Sequence, residues 1–205
     1  TVLPGWFDAL VQGAKRYDAD VAAGPVLGEL PPGASLLARN SVYAGRSRYA
    51  SGPVAMLNGA QNIALSRRIC DALADPWFEV ALGLSGGEDY HFFRRVIALG
   101  GRLVWCDEAS VVEPTPAERL RWRALLRRSF RSNAIAARTD IEFLGREKVW
   151  RDLRHGIPAV ARDAAAGLLR RDPDRIARAG LHVVALTGRA TGLRRTGVSP
   201  TVHDY

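Results

Sequence analysis

The run Leu84-Ser85-Gly86-Gly87-Glu88-Asp89-Tyr90-His91-Phe92-Phe93-Arg94-Arg95 holds the residue types in this chain best suited to chemistry. Two glycines lead into an adjacent Glu-Asp pair, and an aromatic, arginine-bearing segment follows. The first turn of a helix leaves backbone N–H groups unpaired and presents the positive end of the helix dipole, which favours negative charge. Neighbouring carboxylates also repel each other, and a carboxylate held under such opposing influences suits a general base. Glycines just before the pair let a ligand or another backbone come close. Ser85 or the acidic pair reads equally as an ordinary helix cap.

The surrounding elements must position that turn. Pro4 followed by Trp6, Phe7, Leu10, Val11 and Ala14 predicts an amphipathic helix over 4–17. Residues 20–26 read as a short buried strand that ends or bulges at Gly24-Pro25. Residues 28–52 read as a long irregular loop, a length that in compact domains usually serves function. Val54 to Leu65 reads as a strand pair around Asn58-Gly59, and a helix is expected from Arg67 to Leu73. Tyr90, Phe93, Val96, Ile97 and Leu99 predict a helix closed by Gly100-Gly101. Leu103–Cys106 and Ala109–Val112 then form a strand region, and strand–helix–strand order with short connections argues for an α/β class.

Past Pro116 the texture changes. Ala117 to Arg138 reads as one long basic helix, with further helices over 141–154, 158–171 and 173–186. The stretch Leu181 to Leu186 is too short to span a bilayer but able to lie in its interface. The Gly/Arg/Thr-rich tail from Gly188 reads as loose. The division expected is therefore an α/β part over 1–115, a basic helical extension over 116–187 and a flexible tail over 188–205.

Composition sets bounds on function. The 205 residues are 47% apolar and 24% charged, as in an ordinary globular chain, and no run is long enough for a membrane span. Nothing near Thr1 reads as a secretory signal. Cys70 and Cys106 read as reduced thiols of a cytoplasmic protein, without metal-type Cys/His spacing. Through Glu118 there are 10 Lys/Arg against 13 Asp/Glu, and from Arg119 onward 19 against 8. A basic C-terminal half attracts phosphates or an anionic membrane surface. Nucleic-acid modules interleave exposed aromatics with basic residues, whereas here the aromatics sit mostly in the acidic half, so nucleic acid is not expected.

From Val2 to about Arg138 the chain resembles the second half of a family 2 glycosyltransferase of the bacterial polysaccharide or cell-envelope type, which has the GT-A fold. The resemblance rests on Leu3-Pro4-Gly5-Trp6, Ala19-Asp20-Val21-Ala22-Ala23-Gly24-Pro25-Val26, Asn58-Gly59-Ala60-Gln61-Asn62, Gly86-Gly87-Glu88-Asp89 with Phe92-Phe93-Arg94-Arg95, and Val104-Trp105-Cys106-Asp107-Glu108-Ala109. It implies transfer of a sugar from a nucleotide-diphosphate donor to a glycan or lipid-linked acceptor hydroxyl. Asp89 then stands at the base position, Glu88 shapes the acceptor site, and Gly86 and Gly87 let the backbone approach the sugar. Asn62 is implied to touch the bound substrates, although Gly59-Ala60-Gln61 departs from the family's turn and Asn62 also reads as satisfying that turn. Glu118, Arg121 and Trp122 resemble the Gln-x-x-Arg-Trp motif of processive synthases, with Glu in place of Gln. In that motif Trp stacks on acceptor sugar and Arg faces diphosphate. The other reading of these residues is a helix start with Trp122 packed inward. Arg127, Arg128 and Arg131 on the same helix read either as phosphate ligands or as a solvated face.

The resemblance also implies Mn²⁺ or Mg²⁺, held by an Asp-x-Asp motif expected upstream of Thr1. Asp18-Ala19-Asp20 has the spelling but the wrong place, so no residue of this chain is assigned as a metal ligand. Glu113 stands where relatives place a late metal-facing residue. With the donor half outside it, the 205-residue chain alone is expected to transfer no sugar. The location implied is cytoplasmic, peripheral at the inner face of the plasma membrane through the basic stretch 119–195. The alternative reading is a non-enzymatic basic module binding anionic membrane or nucleic acid. It accounts for the charge but not for the Gly-Gly-Glu-Asp run.

Overall fold

The computed structural model describes residues 1–44, 48–82 and 86–194. Leu84 and Ser85, including the possible Ser85 cap, lie outside the described residues. The chain is mixed α/β. Helix α1 (Trp6–Arg16) is followed by strands β1 (Val21–Ala23) and β2 (Val26–Glu29), a short helix α2 (Leu36–Arg39), and strands β3 (Gly52–Pro53) and β4 (Ile63–Leu65). Helices α3 (Arg67–Ala72) and α4 (Glu88–Ala98) precede strands β5 (Leu103–Trp105) and β6 (Val111–Pro114). Three long helices complete the chain: α5 (Trp122–Leu144), α6 (Arg146–Arg170) and α7 (Pro173–Arg194).

The main sheet has the order β3-β5-β1-β4. At its centre β1 runs parallel to β5, with Val21, Ala22 and Ala23 opposite Leu103, Val104 and Trp105. All six residues are buried, as expected of a strand pair covered on both faces. On one face Leu10 of α1 packs against Ala22, Val104 and Cys106. On the other, Phe92, Phe93 and Val96 of α4 pack against Val21, Ala23, Leu103 and Trp105. Both cysteines are free thiols, Cys106 buried and Cys70 partly so.

The strand expected over 20–26 divides at Gly24-Pro25, and its second half joins β6 in a separate parallel pair. A Cβ on Gly24 would meet the Ala109 carbonyl, so only glycine fits at this crossing. The hairpin expected around Asn58-Gly59 does not form. β3 pairs with β5 and β4 with β1, so the two arms reach opposite edges of the sheet. Non-local partners with buried faces override the local turn signal.

Asp20, just before β1, is 2% exposed and fastens that end of the sheet. It accepts from the Arg102 amide (2.9 Å), the Ser66 hydroxyl (2.8 Å) and the Arg68 guanidinium (2.5 Å). Burial alone would raise its pKa, but these donors together hold the carboxyl below its ordinary value.

In the C-terminal part, the basic helix expected from Ala117 starts with a 3-10 turn (Ala117–Leu120) and becomes α-helical only at Trp122. The helix expected over 141–154 is divided at Gly145, its first residues ending α5 and the rest joining the one expected over 158–171 in α6, which runs through Pro158. Of the tail expected to be loose over 188–205, residues 188–194 are helical and residues 195–205 lie outside the described residues. Gly188 and Gly192 lie one turn apart on α7 and face the carbonyls of Phe130 and Ala134 on α5, where a Cβ would collide. These glycines permit close helix packing, which the sequence reading took for looseness. Leu181 is buried, so Leu181–Leu186 is not a free interfacial stripe. Among the described residues no helix is long and apolar enough to cross a membrane.

Gly192→Val is expected to lower the unfolding free energy by about 1–3 kcal/mol through overpacking against α5. Urea denaturation checks this, and an unchanged midpoint would show that α7 does not seat there.

Candidate functional site

Helix α4 is built to hold its first turn in one place. Its N-cap is Gly87, at φ 100°, with Gly86 before it at φ 76°, so the cap residue itself offers no side-chain acceptor. A Cβ on Gly87 would lie 2.8 Å from Cγ2 of Ile135 on α5, whereas one on Gly86 would meet open space. Gly87 therefore serves helix packing, and Gly86 alone leaves an open backbone face.

Beyond the first turn, two faces of α4 anchor it. Phe92, Phe93 and Val96 enter the sheet core, with Phe78 stacked on Phe92 at 4.6 Å. Tyr90 and Arg94, one turn apart, face the long helices. Asp140 of α5, 1% exposed, accepts from Tyr90 Oη (2.6 Å), Arg94 Nη2 (3.1 Å) and Arg189 Nη2 of α7 (2.6 Å). Arg189 also donates to Asp152 of α6 at 2.6 Å, and Lys148 donates to the same carboxylate. Burial, and then the bond to Asp140, push the Tyr90 hydroxyl up to about 12, so it stays a donor.

Asp89 precedes Tyr90 and is partly buried. Its Oδ1 accepts from the Tyr90 amide at 2.8 Å. Burial pushes its carboxyl above the ordinary value, the Tyr90 amide opposes this, Glu88 adds to it, and Arg128 opposes it. Among the described residues, Glu88 Oε2 is buried and has no hydrogen-bond partner. The turn thus combines a desolvated carboxylate of raised proton affinity with a vacant acceptor oxygen beside it, both useful for taking a proton from a hydroxyl.

Arg128 of α5, whose charge acts on Asp89, lines a cleft of about 130 Å³, and Gly86, Gly87, Glu88 and Asp89 are not among its lining residues. The cleft is lined by Gly24, Val26, Val42, Tyr43, Tyr49, Asn58, Gly59, Gln61, Trp105 and Arg128. It lies beyond the carboxyl ends of the parallel strands β1 and β5, the usual place for ligands in α/β sheets. Arg128 sits over the Tyr43 ring at 5.4 Å, and Tyr49 meets Trp105 edge-on at 5.2 Å. Arg48 donates to Asp107 and Ser51 to Glu108, which fixes the segment carrying Tyr49 to the turn after β5. A cation among aromatic planes offers charge for phosphate and faces for a sugar or base. Tyr43 and Tyr49 come from the loop whose length alone marked it, and Trp105 from the strand region expected over Leu103–Cys106.

The other predicted residues lie elsewhere. Asn62 is buried, and its amide is committed to the scaffold. Oδ1 accepts from Trp6 Nε1 at 2.7 Å, while Nδ2 donates to the carbonyls of Ala109 (2.7 Å) and Pro25 (3.2 Å). Asn62 thus ties α1 to the two strand crossings and is not among the residues that line the cleft. Trp122 is 59% exposed at the head of α5, with Arg123 over its ring at 5.0 Å, so the inward packing expected of it does not occur. Arg121, also exposed, precedes it; neither lines the cleft.

Among the described residues no three His, Cys, Asp or Glu side chains converge as a metal site. Asp18 pairs with Arg102, Asp20 is fully engaged as above, and Glu113 on β6 lies 4.0 Å from Arg119. These residues do not fit the divalent cation that the resemblance implies.

Comparison with known proteins adds one relative. The chain is 30% identical over 195 residues to the "Succinoglycan biosynthesis protein ExoM" of Rhizobium meliloti (strain 1021), across 94% of this chain. It spans 62% of that protein's length, less than two thirds. No protein-family description matches the chain, and no solved structure matches it.

The raised pKa of Asp89 carries a stability signature. A carboxyl whose folded value is raised contributes stability below its unfolded value, here near 3.8, and loses it as pH rises through the folded value. Asp89→Asn is therefore expected to unfold at higher urea than the unsubstituted protein at about pH 7, the advantage vanishing below the ordinary Asp value. A variant less stable at neutral pH would mean that Asp89 is a structural anion.

Proposed function

We propose that this chain is the acceptor-side portion of a GT-A glycosyltransferase of family 2. It moves a sugar from a nucleotide-diphosphate donor to an acceptor hydroxyl in polysaccharide synthesis. The observation that carries the reading is the Gly86-Gly87-Glu88-Asp89 turn, with Asp89 desolvated beside the vacant Glu88 Oε2 and Arg128. The similarity to a succinoglycan biosynthesis protein supports the substrate class.

In this reading Asp89 takes the proton of the acceptor hydroxyl as its oxygen attacks the anomeric carbon and the nucleoside diphosphate departs. Glu88 shapes the acceptor site beside the base, and the open backbone at Gly86 lets the sugar approach. Arg128 balances charge between Asp89 and the departing diphosphate, while Tyr43, Tyr49 and Trp105 present planes to the donor. Arg121 and Trp122 offer a cation and an exposed ring to a longer glycan. The proposal places no metal ion on the described residues.

In a longer protein that carries the donor half, Asp89→Asn is expected to lower transfer by about 10²–10⁴-fold while nucleotide-sugar binding stays near its original affinity. Arg128→Ala is expected to weaken donor binding by about tenfold or more. Turnover kinetics with a nucleotide sugar and calorimetric binding separate the two effects. Loss of donor binding in Asp89→Asn, with transfer otherwise intact per bound donor, contradicts the assignment of the base.

A further inference from the structure

Helices α6 and α7 enclose an apolar groove of about 820 Å³ on the far part of the bundle, with no residue in common with the cleft. Its floor is Leu153, Val160, Leu186 and Leu193, and its open sides carry Trp150 and Ile157, which are 55% and 61% exposed. The α6 stripe Trp150, Ile157, Ala161, Ala164 continues at helical spacing to Leu168, itself exposed, over roughly 27 Å of helix. Uncovered apolar surface of this extent marks an interaction site.

The rim narrows the occupant. Arg146, Arg154 and Arg194 border the groove. Arg146 donates to the Leu193 carbonyl at 3.0 Å, closing one end. Among the described residues, Arg154 and Arg194 form no ion pair. From Arg146 to Arg194 there are eleven Arg/Lys against five Asp/Glu, so a second copy of the same face would be repelled. A nucleic acid would leave the apolar floor unsatisfied. An amphiphile with an anionic head and apolar tails fits both features, and Trp150 is the ring type that settles at a headgroup boundary.

We infer that the α6–α7 groove docks the protein on an anionic phospholipid bilayer, with acyl chain against its leucine floor and headgroup phosphates against Arg154 and Arg194. This assignment is independent of sugar transfer. The groove takes in Val183 and Leu186 of the Leu181–Leu186 stretch, whereas Leu181 points into the bundle.

Co-sedimentation of the 205-residue protein with vesicles of equimolar phosphatidylglycerol and phosphatidylcholine tests it, against vesicles of phosphatidylcholine alone. Binding is expected to the anionic vesicles and to be at least tenfold weaker on the neutral ones, by an order-of-magnitude electrostatic argument. The Arg154→Ala/Arg194→Ala pair is expected to lose roughly thirtyfold in partitioning. Ile157→Glu, at an exposed position that tolerates charge, is expected to lose about tenfold or more. Arg162→Ala, exposed on α6 but outside the groove, is expected to change it by no more than the loss of one distant charge. Binding that is absent, indifferent to lipid charge, or lowered by Arg162→Ala as much as by the pair overturns the assignment. So does a concentration-dependent dimer that Ile157→Glu dissolves, or a groove closed by residues 195–205 in solution, seen as Trp150 contacts to that segment by NMR.

Discussion

A single buried carboxylate, Asp140, holds the two halves of this chain in one arrangement. It takes hydrogen bonds from Tyr90 and Arg94 of α4 and from Arg189 of α7, and Arg189 passes the connection to Asp152 of α6. A buried ion with several directed partners tolerates little displacement, since removing one partner of such a set costs on the order of 3–5 kcal/mol. Three helices and the head of a fourth are thereby fixed relative to one another. Asp89 is adjacent to Tyr90, so the same constraint that joins sheet to bundle also fixes the candidate base.

Around this constraint, charge and burial are separated in space. The sheet-facing side of α4 is aromatic and closed, and its bundle-facing side is polar and paired. Among the described residues, its N-terminal end has an open backbone at Gly86, and Glu88 Oε2 and His91 Nδ1 are buried without hydrogen-bond partners. Arg128 belongs to α5, the helix that carries Asp140, so the cation that moderates Asp89 and the anion that anchors α4 are set by one rigid element. The cleft at the strand ends takes its aromatic walls from a loop pinned by Arg48 and Ser51 to the turn after β5.

The sequence made the locally determined parts legible. Helical spacing of Trp6 and Leu10, and of Phe93 and Val96, located α1 and α4, and the Gly-Gly-Glu-Asp run located the helix mouth. What it could not reveal depends on partners far along the chain. The arms flanking Asn58-Gly59 look like a hairpin until β5 and β1 claim them. Asn62 looks like a ligand-facing turn residue until Trp6, Pro25 and Ala109 take its amide. Gly188 and Gly192 look like helix breakers until α5 supplies a backbone against which only glycine fits. The Asp140 network joins residues 37 to 50 positions apart, which no local pattern encodes. Tyr43 and Tyr49 were signalled only by the length of the loop that carries them.

The central claim, that Asp89 acts as a base whose proton affinity is raised by burial and moderated by Arg128, is tested most directly by the acid limb of the kcat/KM profile for sugar transfer by a longer protein that carries the donor half. That limb reports the free enzyme's essential base. The account predicts an inflection above the ordinary Asp value of 3.8 that moves to higher pH in Arg128→Ala, where the moderating cation is gone. An inflection at or below 3.8, or one that stays in place when Arg128 is removed, would contradict it.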